Sequence, residues 1–132
     1  MDYYIAEIEK DPDSTYGVSF PQLETVFSAG DSLDEAARNA AEALRLYFED
    51  NPTERPVPWT MAEVVAIPDV QEDIHNGAVL VVIPYIEMTG RSVRANLTFD
   101  AGLLAAIDQD ASNKNITRAA WLASAARTML AG

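Results

Sequence analysis

The sequence has no cysteine and a single histidine. Disulfides, thiolate nucleophiles and cysteine-based metal sites are thereby excluded, and His75 alone cannot form a histidine cluster. Basic side chains are scarce: 9 Lys and Arg stand against 21 Asp and Glu, for a formal net charge of −12. Long apolar runs are missing too. The longest, AVLVVIPYI (Ala78 to Ile86), is far too short to cross a bilayer, which takes about 20 residues. The amino terminus, MDYYIAEIEKD, lacks the basic region and apolar run of a secretory leader, so the chain is expected to be cytoplasmic, with no membrane partner. No Gly-rich phosphate loop is visible, and no cofactor is expected.

What is present is enough for a core. Of 132 residues, 48% are hydrophobic, which argues against disorder and fits one domain or two small ones. The charge is unevenly spread. Residues 1–90 hold 18 acidic and 4 basic side chains, net −14, whereas residues 91–132 hold 3 and 5, net +2. The first part suits a cationic partner and the second a polyanion.

In the first part, YYIAEIEK alternates as a strand, with Tyr4, Ala6 and Ile8 on one face and Tyr3, Ile5, Glu7 and Glu9 on the other. DPDST supplies turn residues, YGVSF a second strand, and ETVFSAG a short third. Ser32 and Glu35 form a capping box. The helix it opens carries Leu33, Ala37, Ala40, Leu44, Tyr47 and Phe48 as an apolar stripe, and Pro52 stops it. NPTERPVPW is a proline-rich connector. Thr60 and Glu63 cap a short helix that Pro68 is expected to end, leaving His75 in a polar loop. AVLVVIPY reads as a buried strand. The expectation is an α+β domain over residues 1–86: an antiparallel sheet with its helix on one face.

EMTGR then serves as a linker to a second domain, residues 91–132. There SVRANLTFD reads as one strand, followed by a helix capped by Asp100 and a second capped by Thr117, with SNKN between them. The second helix shows Trp121, Leu122, Ala125 and Met129 on one face. A segment near 40 residues seldom folds alone without a disulfide or metal, and a lone strand leaves its backbone groups unpaired. Pairing of two copies answers both needs, so a homodimer or tetramer is expected through this domain. Val93, Ala95, Leu97 and Phe99 then point inward, and Arg94, Asn96 and Thr98 outward on a two-stranded ribbon that fits the DNA major groove. Arg91 precedes the ribbon. Thr117 and Arg118 open the last helix, whose free amides can hold a phosphate.

The residues from SVRANLTFD to ARTML resemble a ribbon-helix-helix repressor domain, through VRANLTF, LLAAID and NITRAAWL. Residues 3–50 resemble the HicB-type antitoxin domain, a truncated RNase H-like fold, through YIAEIE, VSFPQL and the SLDEAARNAAEAL helix. The resemblance implies an antitoxin that binds a HicA-like RNA-cleaving toxin directly and represses its own operon by binding operator DNA. It points to Arg91, Arg94, Asn96, Thr98, Thr117 and Arg118 as DNA-binding residues, and to the acids Glu7, Glu9, Asp11 and Asp13 as the place to look for toxin contacts. The alternative is a ribbon-helix-helix repressor whose first domain senses a small ligand.

RNase H-like enzymes hold two metal ions with clustered carboxylates. Glu7, Glu9 and Asp11 lie close in sequence, but no later acid occupies a convincing strand position, so neither catalysis nor a metal site is expected. Tyr3, Tyr4, Trp59 and Trp121 read as core or interface residues.

Overall fold

The computed structural model describes residues 1–13 and 15–131. Ser14 of the expected turn and Gly132 at the end of the second domain lie outside them. The chain divides into two compact units, Met1–Glu87 and Met88–Leu130.

The first unit is α+β. Strands β1 (Asp2–Lys10), β2 (Tyr16–Phe20), β3 (Leu23–Gly30) and β4 (Val79–Tyr85) form an antiparallel sheet in the order β3-β2-β1-β4. Alternation along β1 sorts its side chains between two apolar layers. Tyr4, Ala6 and Ile8 meet Ala36, Ala40, Leu44 and Phe48 of helix α1 (Leu33–Asp50). Phe48 is wedged between two tyrosines, its ring centroid 5.3 Å from Tyr4 and 4.9 Å from Tyr85. Ser32 opens α1 as expected, its hydroxyl accepting from the Glu35 amide at 3.1 Å. Strand β3 meets the start of this helix so closely that a Cβ on Gly30 would stand 2.4 Å from the Ala36 nitrogen. Only glycine fits there.

The opposite face of the sheet is covered as well, contrary to the one-sided packing expected. Helix α2 (Met61–Val65) is capped by Thr60, and helix α3 (Pro68–His75) follows it at once. Val64 and Val70 pack on Ile5, with Ile67 and Leu80 beside them. Pro68 therefore starts a helix instead of ending one. At the first helical position its missing N–H costs nothing, and its fixed φ suits the turn. His75 is accordingly in the last turn of α3 and exposed, not in a loop.

The proline-rich connector is tied down by side chains. Gln22 donates to the Val57 carbonyl at 2.7 Å and accepts from the Trp59 amide at 2.9 Å, while the Tyr4 hydroxyl donates to the Pro56 carbonyl at 2.6 Å.

The second unit holds helices α4 (Ala101–Asn113) and α5 (Arg118–Ala131). Asp100 caps α4 by accepting from the Leu103 amide at 3.1 Å. A Cβ on Gly102 would come 3.1 Å from the same carboxylate, so glycine leaves room for the cap. Asn115, at φ 56°, makes the left-handed turn into α5, as asparagine can. The expected strand at Ser92 to Phe99 forms no ladder in the single chain, and its residues are all exposed. A lone extended segment offers backbone groups but has none opposite to receive them. Among the described residues no helix is long and apolar enough to cross a membrane.

Candidate functional sites

In the second unit, Arg91, Arg94, Asn96 and Thr98 are exposed. Among the described residues neither Arg91 nor Arg94 carries a salt bridge. The apolar residues that alternate with them are open too: Val93 is 80% and Leu97 67% exposed. Among the described residues of this unit, only Ile107 and Ala111 are buried.

Thr117 and Arg118 have other engagements. The Thr117 hydroxyl accepts from the Ala120 amide at 3.1 Å, capping α5. Arg118 donates to both oxygens of Asp108 on α4, at 2.8 and 2.7 Å. That bidentate contact holds the Asp108 carboxyl below the usual carboxylate range. Asp110 plays a parallel role two positions later in the α4–α5 join. It accepts from Lys114 at 2.6 Å and from the Trp121 indole at 2.6 Å, and both bonds lower its pKa, Lys114 most. Asp108 and Asp110 were not singled out in the sequence, although each is separated from its α5 partner by only ten or eleven positions.

The four candidate acids of β1 and the turn after it fall into two groups. Asp11 and Asp13 lie exposed in the β1–β2 turn, where the Asp11 amide donates to the Thr15 carbonyl at 2.8 Å. Glu7 and Glu9 stand near Asp73 of α3, with one carboxylate oxygen from each residue within 4.8 Å of the others. Glu9 is exposed and Asp73 half-buried, but Glu7 is only 6% exposed, and its Oε1 atom is buried without a hydrogen-bond partner among the described residues. Burial pushes the Glu7 carboxyl up to about 7, helped by a hydrogen bond with Asp73 and by the Asp73 and Glu9 charges. Glu9 is raised as well, first by burial and then by the Asp73 charge.

This arrangement changes two sequence readings. Glu7 lies inside the fold and offers no carboxylate to a docking surface, because α3 covers that face of β1. A later acid does join the pair, from a helix instead of a strand. Reading Pro68 as a stop hid it; the helical spacing of Val70 and Ile74 after a first-turn proline is the signal that reveals α3.

Comparison with known proteins adds a family. The profile of the HicB_like antitoxin of bacterial toxin-antitoxin systems matches residues 4–126. The 14.9 kDa protein of the rep-hol intergenic region of Haemophilus phage HP1 is 33% identical over 105 residues, which span 77% of this chain and 76% of the phage protein. The crystal structure of the Burkholderia pseudomallei antitoxin HicB superposes with a TM-score of 0.56 at 27% identity, covering 98% of this chain and 97% of that one. The crystal structure of antitoxin HicB3 gives a TM-score of 0.55 at 26% identity, with 97% of each chain covered. The α+β sheet with its helices, the profile that runs through both units and these relatives agree: the chain belongs to the HicB-like antitoxins of bacterial toxin–antitoxin systems.

Proposed function

We propose that this protein is a cytoplasmic, non-enzymatic antitoxin that binds a HicA-like RNA-cleaving toxin through residues 1–86 and represses its own operon through residues 91–132. The second domain is read as a ribbon-helix-helix: strands from two copies pair, and Arg94, Asn96 and Thr98 enter the major groove. One observation carries this reading. The second unit exposes Val93, Leu97, Phe99, Leu103 and Met129, and has too little buried surface of its own to hold two helices. An alternating segment whose apolar side and backbone are both open is complete only when another strand lies beside it.

Arg91 and Arg94 are free to reach DNA, whereas Arg118 already neutralises Asp108. Phosphate contact at α5 is therefore assigned to the helix-start backbone more than to the Arg118 guanidinium. For the toxin, the net charge of −14 over residues 1–90 suits a basic RNA-binding surface, and Glu9 with Asp11 and Asp13 of the following turn are the exposed candidate acids offered to meet it. The acidic domain disturbs DNA binding little if it is held a few Debye lengths away, each roughly 8 Å at physiological salt.

The test is co-expression with the product of the adjacent gene. Co-purification and rescue of growth are expected, together with a gel shift of the upstream DNA. A gene neighbour that neither binds nor harms the cell sinks the toxin half of the reading. Absence of binding to upstream DNA sinks the other half.

A further inference from the structure

We propose that Glu7, Glu9 and Asp73 form a binding site for one hard divalent cation, set between β1 and α3. The donors come from elements far apart in sequence, and the fold alone brings their carboxylates together. Three oxygen donors and no nitrogen or sulfur select a hard ion such as Ca²⁺, Mn²⁺ or Mg²⁺. Around a cation with metal–oxygen bonds of about 2.4 Å, adjacent octahedral oxygens stand roughly 3.4 Å apart and opposite ones roughly 4.8 Å. The three carboxylate oxygens lie within 4.8 Å of one another, which is the span such an ion needs.

A second observation points to a ligand. Glu7 is 94% buried, by its 6% exposure, and its Oε1 has no hydrogen-bond partner among the described residues. Its cross-strand neighbours are Leu80 on β4 and Ser19 on β2, and Ile5, two positions away on the same face, packs against Val64 and Val70. Among the described residues no Lys, Arg or His forms a salt bridge with Glu7, Glu9 or Asp73. A buried carboxylate oxygen left unpaired is costly, and a bound cation removes that cost. The site is graded from a buried floor at Glu7, through half-buried Asp73, to exposed Glu9. Water reaches its outer side and can fill the remaining coordination positions.

This inference does not depend on the proposed toxin or operator. The full chain is stripped with a chelator, then titrated calorimetrically with Ca²⁺, Mn²⁺ and Mg²⁺. At least one of these should bind at one ion per chain and raise the thermal midpoint. Asp73→Asn and Glu9→Gln, both at positions reached by solvent, should each weaken binding by about tenfold or more. Asp34→Asn, an exposed acid on α1, should leave it unchanged. Mn²⁺ should broaden amide resonances of β1 and α3 first. No binding at millimolar cation overturns the proposal. So does equal binding by wild type, Asp73→Asn and Glu9→Gln, or an equal loss in Asp34→Asn, which would mean diffuse attraction to an acidic surface. Circular dichroism of each variant separates lost folding from lost ligands, and Glu9→Gln, at an exposed carboxylate, keeps the test decisive if Asp73→Asn unfolds.

Discussion

Arg118 and Asp108 join α5 to α4 through two hydrogen bonds, one to each carboxylate oxygen, at 2.8 and 2.7 Å. The pair sets Arg118 physically apart from the other candidate arginines of the second unit, Arg91 and Arg94. Arg94 is exposed and has no salt bridge among the described residues, whereas Arg118 is committed to holding a helix corner. Arg94→Ala is expected to weaken operator binding by about 1–3 kcal/mol and to relax sequence preference. Arg118→Ala should instead lower the thermal midpoint, with a smaller change in binding. Titrating both variants on operator DNA at fixed salt checks the order; equal binding losses would return Arg118 to the DNA surface.

Leu97→Glu in the full chain should convert an even-numbered oligomer into monomers. Leu97 is 67% exposed in the single chain, so the charge costs the monomer little. In a paired ribbon it would be buried beside its own copy. Sedimentation at micromolar concentration reads the outcome. A wild type that is already monomeric contradicts the dimeric ribbon.

Gly30→Ala should destabilise the first unit by about 1–3 kcal/mol or more, because a methyl group has no room against α1. The Cβ would lie 2.4 Å from a backbone nitrogen, which cannot swing aside like a side-chain tip. Urea unfolding measures the loss. Gly77→Ala offers a contrast, since its Cβ would meet nothing within 4 Å and its cost comes only from a φ of +106°.

The pH dependence of stability should carry the mark of Glu7. An ordinary glutamate titrates near 4.5, and in the folded chain Glu7 is raised to about 7. Between these values the folded state holds the additional proton, so stability falls as pH rises through that window. Below the window the contribution is absent, and above it the loss is complete. In chelator-treated samples, Glu7→Gln should flatten the fall and be more stable than wild type at about pH 8. Parallel profiles for the two proteins would contradict the assignment.

Much of this architecture was legible because it is local. Ser32, Thr60 and Asp100 each announce a helix start with a side-chain oxygen, and each accepts the amide expected of a cap. The stripe on α1 and the alternation in β1 follow from periodicity alone. Pro68 shows where locality fails, since proline both ends helices and begins them, and only packing against Ile5 decides which. Asp73 was invisible for the same reason. Its relation to Glu7 and Glu9 is made by the fold, and no spacing in the chain encodes it. Glu7 alternates as an outward residue, yet outward on a sheet means solvent only when nothing covers that face.

The carboxamide of Gln22 treats Val57 and Trp59 as a neighbouring strand would, giving one hydrogen and taking another. A stretch whose prolines and polar residues look like a loose tether is thus a strut of fixed length. It sets how far apart α1 ends and α2 begins, and so where Asp73 is delivered. Lengthening this strut by even a residue or two would break its clasp on the sheet and shift the carboxylates, though no acid had been touched.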